Sequence, residues 1–96
     1  MEREIILGKL RAHREDIEAI GIGAIYLFGS LARNEARHDS DIDLLVDFRE
    51  PVGMFHFLRA RRRLEEILGS PVDLVTRPAL RKEFRDAILK ECINAA

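Results

Sequence analysis

Asp41-Ile42-Asp43 sets two carboxylates one residue apart at the head of an apolar run, Leu44-Leu45-Val46. Read as a strand from Ile42 to Phe48, this run puts Ile42, Leu44, Val46 and Phe48 on one face and Asp41 and Asp43 on the other. Two unpaired carboxylates over one spot repel, and one of them takes up a proton near neutral pH unless a cation lies between them. Ligands of this kind, all oxygen, suit magnesium, which is usually held by one or two carboxylates together with substrate phosphates.

A second apolar run, Tyr26-Leu27-Phe28, breaks at Gly29-Ser30, and ten residues separate Ser30 from Asp41. Gly29 has no Cβ, so the chain can turn sharply and approach a ligand closely there. Ser30 is placed to cap a short helix through Leu31, Ala32 and Arg33, leaving free N–H groups directed at an anion. The implied arrangement is phosphate beside metal. Asp73 lies inside a third short apolar run, Val72 to Thr76, where an unpartnered acid is costly to bury. It either pairs with an arginine or, the preferred reading, lies on the strand beside Asp43 and completes a cluster of three carboxylates.

Gly29-Ser30, ten residues and then Asp41-x-Asp43 resembles the signature of the polymerase-β-type nucleotidyltransferase superfamily. Leu27-Phe28-Gly29-Ser30-Leu31-Ala32-Arg33, Ser40-Asp41-Ile42-Asp43-Leu44, Pro51-Val52-Gly53 and Pro71-Val72-Asp73-Leu74-Val75 are similar to its minimal nucleotidyltransferase (MNT) branch, over nearly the whole chain. The resemblance implies transfer of AMP from ATP, with in-line attack at the α-phosphate and pyrophosphate leaving. It implies that Asp41 and Asp43 hold two magnesium ions and that Asp73 binds the one activating the acceptor hydroxyl. Gly29 and Ser30 would cradle the β- and γ-phosphates, with Arg33 as a further phosphate contact. MNT proteins commonly act as the antitoxin of a HEPN-domain ribonuclease toxin and can attach AMP to a tyrosine near its active site. The expected partner is therefore such a toxin, in a possible hetero-oligomer. The alternatives are an antitoxin that neutralises its partner by binding alone and a transferase acting on a small molecule, for which the chain has little room to build a pocket.

These residues need elements to hold them. Ile6, Leu10, His13, Ile17 and Ile20 predict an amphipathic helix over roughly residues 3 to 20, ended by Gly21 or Gly23. Ala24 to Phe28 reads as a buried strand, and Asn34 to Ser40 as a polar loop. Phe57, Ala60, Leu64, Ile67 and Leu68 mark a second helix closed by Gly69, with Pro71 introducing the strand that carries Asp73. Leu80, Phe84, Ala87 and Ile88 mark a closing helix, with Pro78 near its start. Three strands, each flanked by helix, predict an α/β fold: a small mixed β-sheet covered by helices on one face, with the active site on the other.

Several side chains admit two readings. His13, on the apolar helix face, is a catalytic base or, by preference, a core or interface residue. Tyr26 could stack on a base but more often such a residue packs in the sheet. Arg37 is placed near a triphosphate or is a solvated loop charge. Arg59, Arg61, Arg62 and Arg63 form a solvated helix face or a docking surface for an acidic partner, with Arg61 set to snorkel from the apolar stripe.

The 96 residues fit a single domain, 1–96, with stability on the order of 5 to 10 kcal/mol. Hydrophobic residues make up 47% and charged ones 34%, which suits a globular protein rather than a disordered one. With a net charge of −1 no global field draws the chain to nucleic acid or to an anionic membrane. Residues 1–48 carry 6 basic and 10 acidic side chains, and residues 49–96 carry 10 and 7, so the acidic excess lies in the half with Asp41 and Asp43. One cysteine, Cys92, forms no intramolecular disulfide, and no apolar stretch approaches the roughly 18 residues of a spanning helix; both fit a cytoplasmic protein.

Overall fold

The computed structural model describes residues 3–35 and 41–95. The chain runs α1 (Arg3–Ala12), α2 (Arg14–Ala19), β1 (Ile22–Phe28), α3 (Gly29–Ala32), β2 (Ile42–Phe48), α4 (Met54–Leu68), β3 (Val72–Thr76), a 3-10 turn (Arg77–Ala79), α5 (Lys82–Glu91) and β4 (Ile93–Asn94). The sheet order is β3-β2-β1-β4. β1 pairs antiparallel with β2 and β4, whereas β2 and β3 run parallel. That parallel pair needs a crossover, and α4 supplies it.

The alternation in β2 is what divides the sheet into two faces. Ile42, Leu44 and Val46 point into the main core with Ile25, Leu27, Val72 and Leu74 from the neighbouring strands. Ile6, Leu10 and Ile17 of α1 and α2, and Ala60, Leu64 and Leu68 of α4, cover that face. Gly69 ends α4 in the left-handed conformation at φ 70°, where its N–H donates to the Glu65 carbonyl at 2.7 Å. This is the glycine stop expected of that position.

The predicted first helix is two helices. At His13 (φ −107°, ψ 25°) the N–H is shared between the carbonyls of Lys9 and Leu10, and the ring Nδ1 also meets the Lys9 carbonyl at 2.9 Å. The doubled demand on one turn tightens it and bends the path, and His13 lies half-buried at the bend, outside the core.

Two further differences lie at the C-terminal end. A fourth strand, β4, adds to the outer edge of β1 through Tyr26↔Asn94 and Leu27↔Ile93, and the Ala95 N–H donates to the Ile25 carbonyl at 2.8 Å. Two residues are too few to show an alternation. In α5, Phe84 and Ala87 face solvent. Ile88 and Leu80 pack as expected, joined by Leu89 and Cys92 in a small second cluster with Phe28, Leu45, Tyr26 and Val75. α5 therefore rests its C-terminal half on the sheet face opposite the main core, and Pro78 opens the 3-10 turn rather than the helix.

Leu44 is fully buried in one of the two central strands. Leu44→Ala is expected to cost about 3 to 5 kcal/mol, a large part of the stability of so small a domain, read as a shift of the urea unfolding midpoint at constant slope.

Candidate active site

The parallel register aligns Asp43 with Asp73, and the antiparallel register aligns Asp43 with Phe28, the residue before the Gly29 turn. Asp43 thus has a second acid on one side and a tight turn on the other. Gly29 sits at φ +74°, and a Cβ there would stand 2.1 Å from Asp43 Oδ2. Glycine is needed twice over, for the backbone angle and for the space the carboxylate fills.

The electrostatics follow from this crowding. Asp43 is half-buried, and its pKa is pushed up from 3.8 to about 6, first by burial, then by the charges of Asp73 and Asp41, and further by the hydrogen bond that its neutral form donates to Asp73. Arg33 pulls weakly the other way. This is the protonation conflict expected of two acids on one strand face, with Asp73 contributing more than Asp41. Asp41 and Asp73 are themselves exposed, and no arginine pairs with Asp73 among the described residues.

Asp41, Asp43 and Asp73 are the groups that could hold a metal ion. Their oxygens suit magnesium, and a divalent cation would offset the repulsion that, after burial, raises the Asp43 pKa. Among the described residues no three acids, histidines or cysteines are gathered closely enough to clasp an ion as they stand. The strands bring Asp43 and Asp73 into contact, and Asp41, just before β2, acts on Asp43 through its charge.

Beside the acids stands a set of anion donors. α3 begins at Gly29, with Phe28 as the preceding residue and no side-chain cap, so Ser30 lies within the first turn instead of capping it. Arg33 closes the turn and pairs with Glu35 at 3.1 Å and with Glu91 at 3.0 Å. The Gly29 N–H donates to Glu91 Oε1 at 3.1 Å. Glu91 is the residue that motif spacing misses: an acid at the end of a polar helix has no local signal, and only the return of the chain through β4 brings it here. Arg37, with His38, Asp39 and Ser40 of the connecting loop, lies outside the described residues.

The remaining candidates take structural roles. The Arg77 guanidinium lies 5.3 Å above the Tyr26 ring and pairs with Asp47 at 2.9 Å, which occupies the face a base would need. Cys92 is half-buried, with its thiol donating to the Leu89 carbonyl at 3.4 Å. Arg61 is exposed and does not snorkel; Arg63, half-buried, bridges α4 to Asp16 of α2 at 3.0 Å. The roomiest cavity described, 710 Å³ lined by Ile20, Gly21, Arg49 and Pro51 among others, lies at the opposite end of β1 and β2 from the acids. Six residues of strand, roughly 20 Å, separate the two ends.

Residues 9–94 match the family model of a nucleotidyltransferase domain. The chain is 39% identical over 85 residues to the protein adenylyltransferase MntA of Thermococcus cleftensis, covering 88% of this chain and 86% of that protein. A solved structure described as a minimal nucleotidyltransferase superposes with a TM-score of 0.75 at 39% identity, over 97% of this chain and 95% of that one. The same fold, at 20% identity and a TM-score of 0.68, occurs in a complex of a tri-AMPylated Shewanella oneidensis HEPN toxin with its MNT antitoxin, where 98% of this chain and 71% of the other are covered.

Two outcomes test this geometry. Between pH 4 and 6 the metal-free folded chain retains a proton on Asp43 that the unfolded chain has lost, so stability falls as pH rises through that window. Asp43→Asn should then be the more stable protein at pH 7 in chelator, by about 1 to 2 kcal/mol once solvent screening is allowed for, with the gain vanishing below pH 4 in paired urea titrations. Gly29→Ala should destabilise by about 1 to 3 kcal/mol through strain and collision with Asp43; the same substitution in an Asp43→Ala background should cost measurably less, because the colliding carboxylate is gone.

Proposed function

Because the chain belongs to the nucleotidyltransferase domain family, we propose that it is a protein adenylyltransferase that moves AMP from ATP onto a tyrosine hydroxyl of a HEPN-domain ribonuclease toxin and so neutralises it. The observation that carries this reading is the alignment of Asp43 with Asp73 beneath the Gly29 turn, which sets paired acids next to anion donors in one small region. The name of the Thermococcus relative and the AMPylated toxin bound by the same fold in Shewanella support the acceptor.

Asp41, Asp43 and Asp73 would hold magnesium, two ions in the full site, which would neutralise phosphate charge and lower the pKa of the attacking hydroxyl. Gly29, through its N–H, Ser30 and Arg33 bind and orient the β- and γ-phosphates, so that pyrophosphate leaves in line with the incoming oxygen. The new bond joins the acceptor oxygen to the α-phosphorus, and the bond to pyrophosphate breaks. Asp73, the most accessible to an incoming acceptor of the two strand-borne acids, receives the hydroxyl proton. The single domain, 1–96, would act on the toxin within a hetero-oligomer. We place this reaction in the cytoplasm, without direct nucleic-acid binding; among the described residues no helix is long and apolar enough to cross a membrane.

Non-catalytic neutralisation is the second reading. It is favoured by Met54 and Phe55, 69% and 86% exposed, and Leu58 beside Arg59 and Arg62 on α4, a surface suited to holding a partner whether or not chemistry follows.

The test is incubation with α-labelled ATP and magnesium, with and without a HEPN-domain ribonuclease from the same organism, followed by intact mass analysis of both. Transfer predicts one or more AMP increments on the HEPN protein, lost by at least a hundredfold in Asp41→Asn/Asp43→Asn and in chelator. A stable complex that inhibits the ribonuclease with no added mass would instead establish neutralisation by binding.

A further inference from the structure

The donors assigned above to the nucleotide's β- and γ-phosphates are already engaged. Glu91 Oε1 accepts the Gly29 N–H at 3.1 Å, and Arg33 Nη1 lies 3.0 Å from Oε2 and 3.3 Å from Oε1 of the same carboxylate. One side chain, 62 residues away in sequence, thus takes the backbone donor and the guanidinium together, with the charge and forked oxygens of half a phosphate.

We propose that Glu91 is a specificity-determining residue of the phosphate subsite: it competes with the nucleotide for Gly29 and Arg33, so that the site admits a polyphosphate and resists a monophosphate. The proposal rests on the reading of Gly29 and Arg33 as phosphate donors. Glu91 is the last residue of α5, and the chain directly after it is pinned to β1 by Ile93, Asn94 and the bond from the Ala95 N–H to the Ile25 carbonyl. This anchoring gives the carboxylate a high effective concentration at the donors. A ligand with one phosphate offers little more than Glu91 already supplies, whereas a triphosphate chain brings several charged oxygens to the same two groups. Displacement requires only rotation of the side chain, which is 28% exposed and faces out of the cluster formed by Ile88, Leu89 and Cys92. Asp43 Oδ2 lies on the other side of Gly29, so Glu91 also adds a second negative charge at the turn, offset by Arg33. When pyrophosphate leaves, Glu91 re-enters and closes the subsite to its return.

Calorimetric titration of the intact chain, Glu91→Gln and Glu91→Asp with tripolyphosphate and with AMP, in magnesium buffer, tests this. Glu91→Gln should bind tripolyphosphate about tenfold tighter than the wild-type chain, as expected for removal of one charge-assisted contact, and AMP should gain by a larger factor, because its single phosphate no longer meets a carboxylate that matches it, so the preference for tripolyphosphate narrows. Glu91→Asp, which retracts the charge by one methylene, should fall between, and it decides the matter if Glu91→Gln fails to fold by circular dichroism. Equal tripolyphosphate affinity in all three would overturn the competition and leave the subsite standing. Weaker binding in Glu91→Gln would also overturn it, by making Glu91 a support for Arg33. If none of the three binds tripolyphosphate, the phosphate reading of Gly29 and Arg33 falls, and this proposal with it.

Discussion

Two carboxylates on adjacent parallel strands, Asp43 and Asp73, face each other where a sheet would ordinarily place a favourable pair. The surrounding structure makes this repulsive contact tolerable. On the opposite face of the same strands, Leu44 and Leu74 are buried against α1 and α4, so apolar burial fixes the register that the acids oppose. The Asp43 pKa, pushed up to about 6 by burial first and then by the charges of Asp73 and Asp41, registers that repulsion, and no arginine offsets Asp73 among the described residues. A cation between the two carboxylates would relieve that repulsion.

The two faces of the sheet therefore divide the work. The face toward α1, α2 and α4 carries most of the stability, with large aliphatic side chains fully buried. The other face has only a small cluster around Leu45 and Leu80, with the acids at one end of it and the Arg77–Asp47 pair at the other. α5 closes that weaker face by its last turns alone. The element nearest the site is thus also among the least buried, a common condition for segments that must yield to a ligand.

Much of this was legible in the chain because the signals were local or periodic. β2 and β3 have the bounds read from their alternation, and Gly69 stops α4 where a left-handed residue was expected. The nearness of Asp73 to Asp43 was legible as well, because an acid in an apolar strand needs a partner and α/β chains place consecutive crossover-linked strands side by side. What stayed hidden depends on long-range geometry or on competition between hydrogen bonds. The bend at His13 arises from a shared carbonyl, invisible to a helical period that continues through it. β4 is too short to carry a pattern, and without β4 nothing suggests that Glu91 reaches Gly29. Ser30 was misplaced as a cap because the turn begins one residue earlier, at the glycine that Asp43 requires.

The fifteen-residue crossover α4 joins β2 to β3 without setting their register. Side chains alternate along a strand, so a slip of one residue between β2 and β3 would carry Asp73 to the buried face and bring Leu74 or Val72 beside Asp43. The buried side chains of β2 and β3 hold that register, and α4 has only to bring β3 back beside β2: its exposed residues and the connections at 49–53 and 69–71 can vary, provided that Ala60, Leu64 and Leu68 keep their place over the sheet.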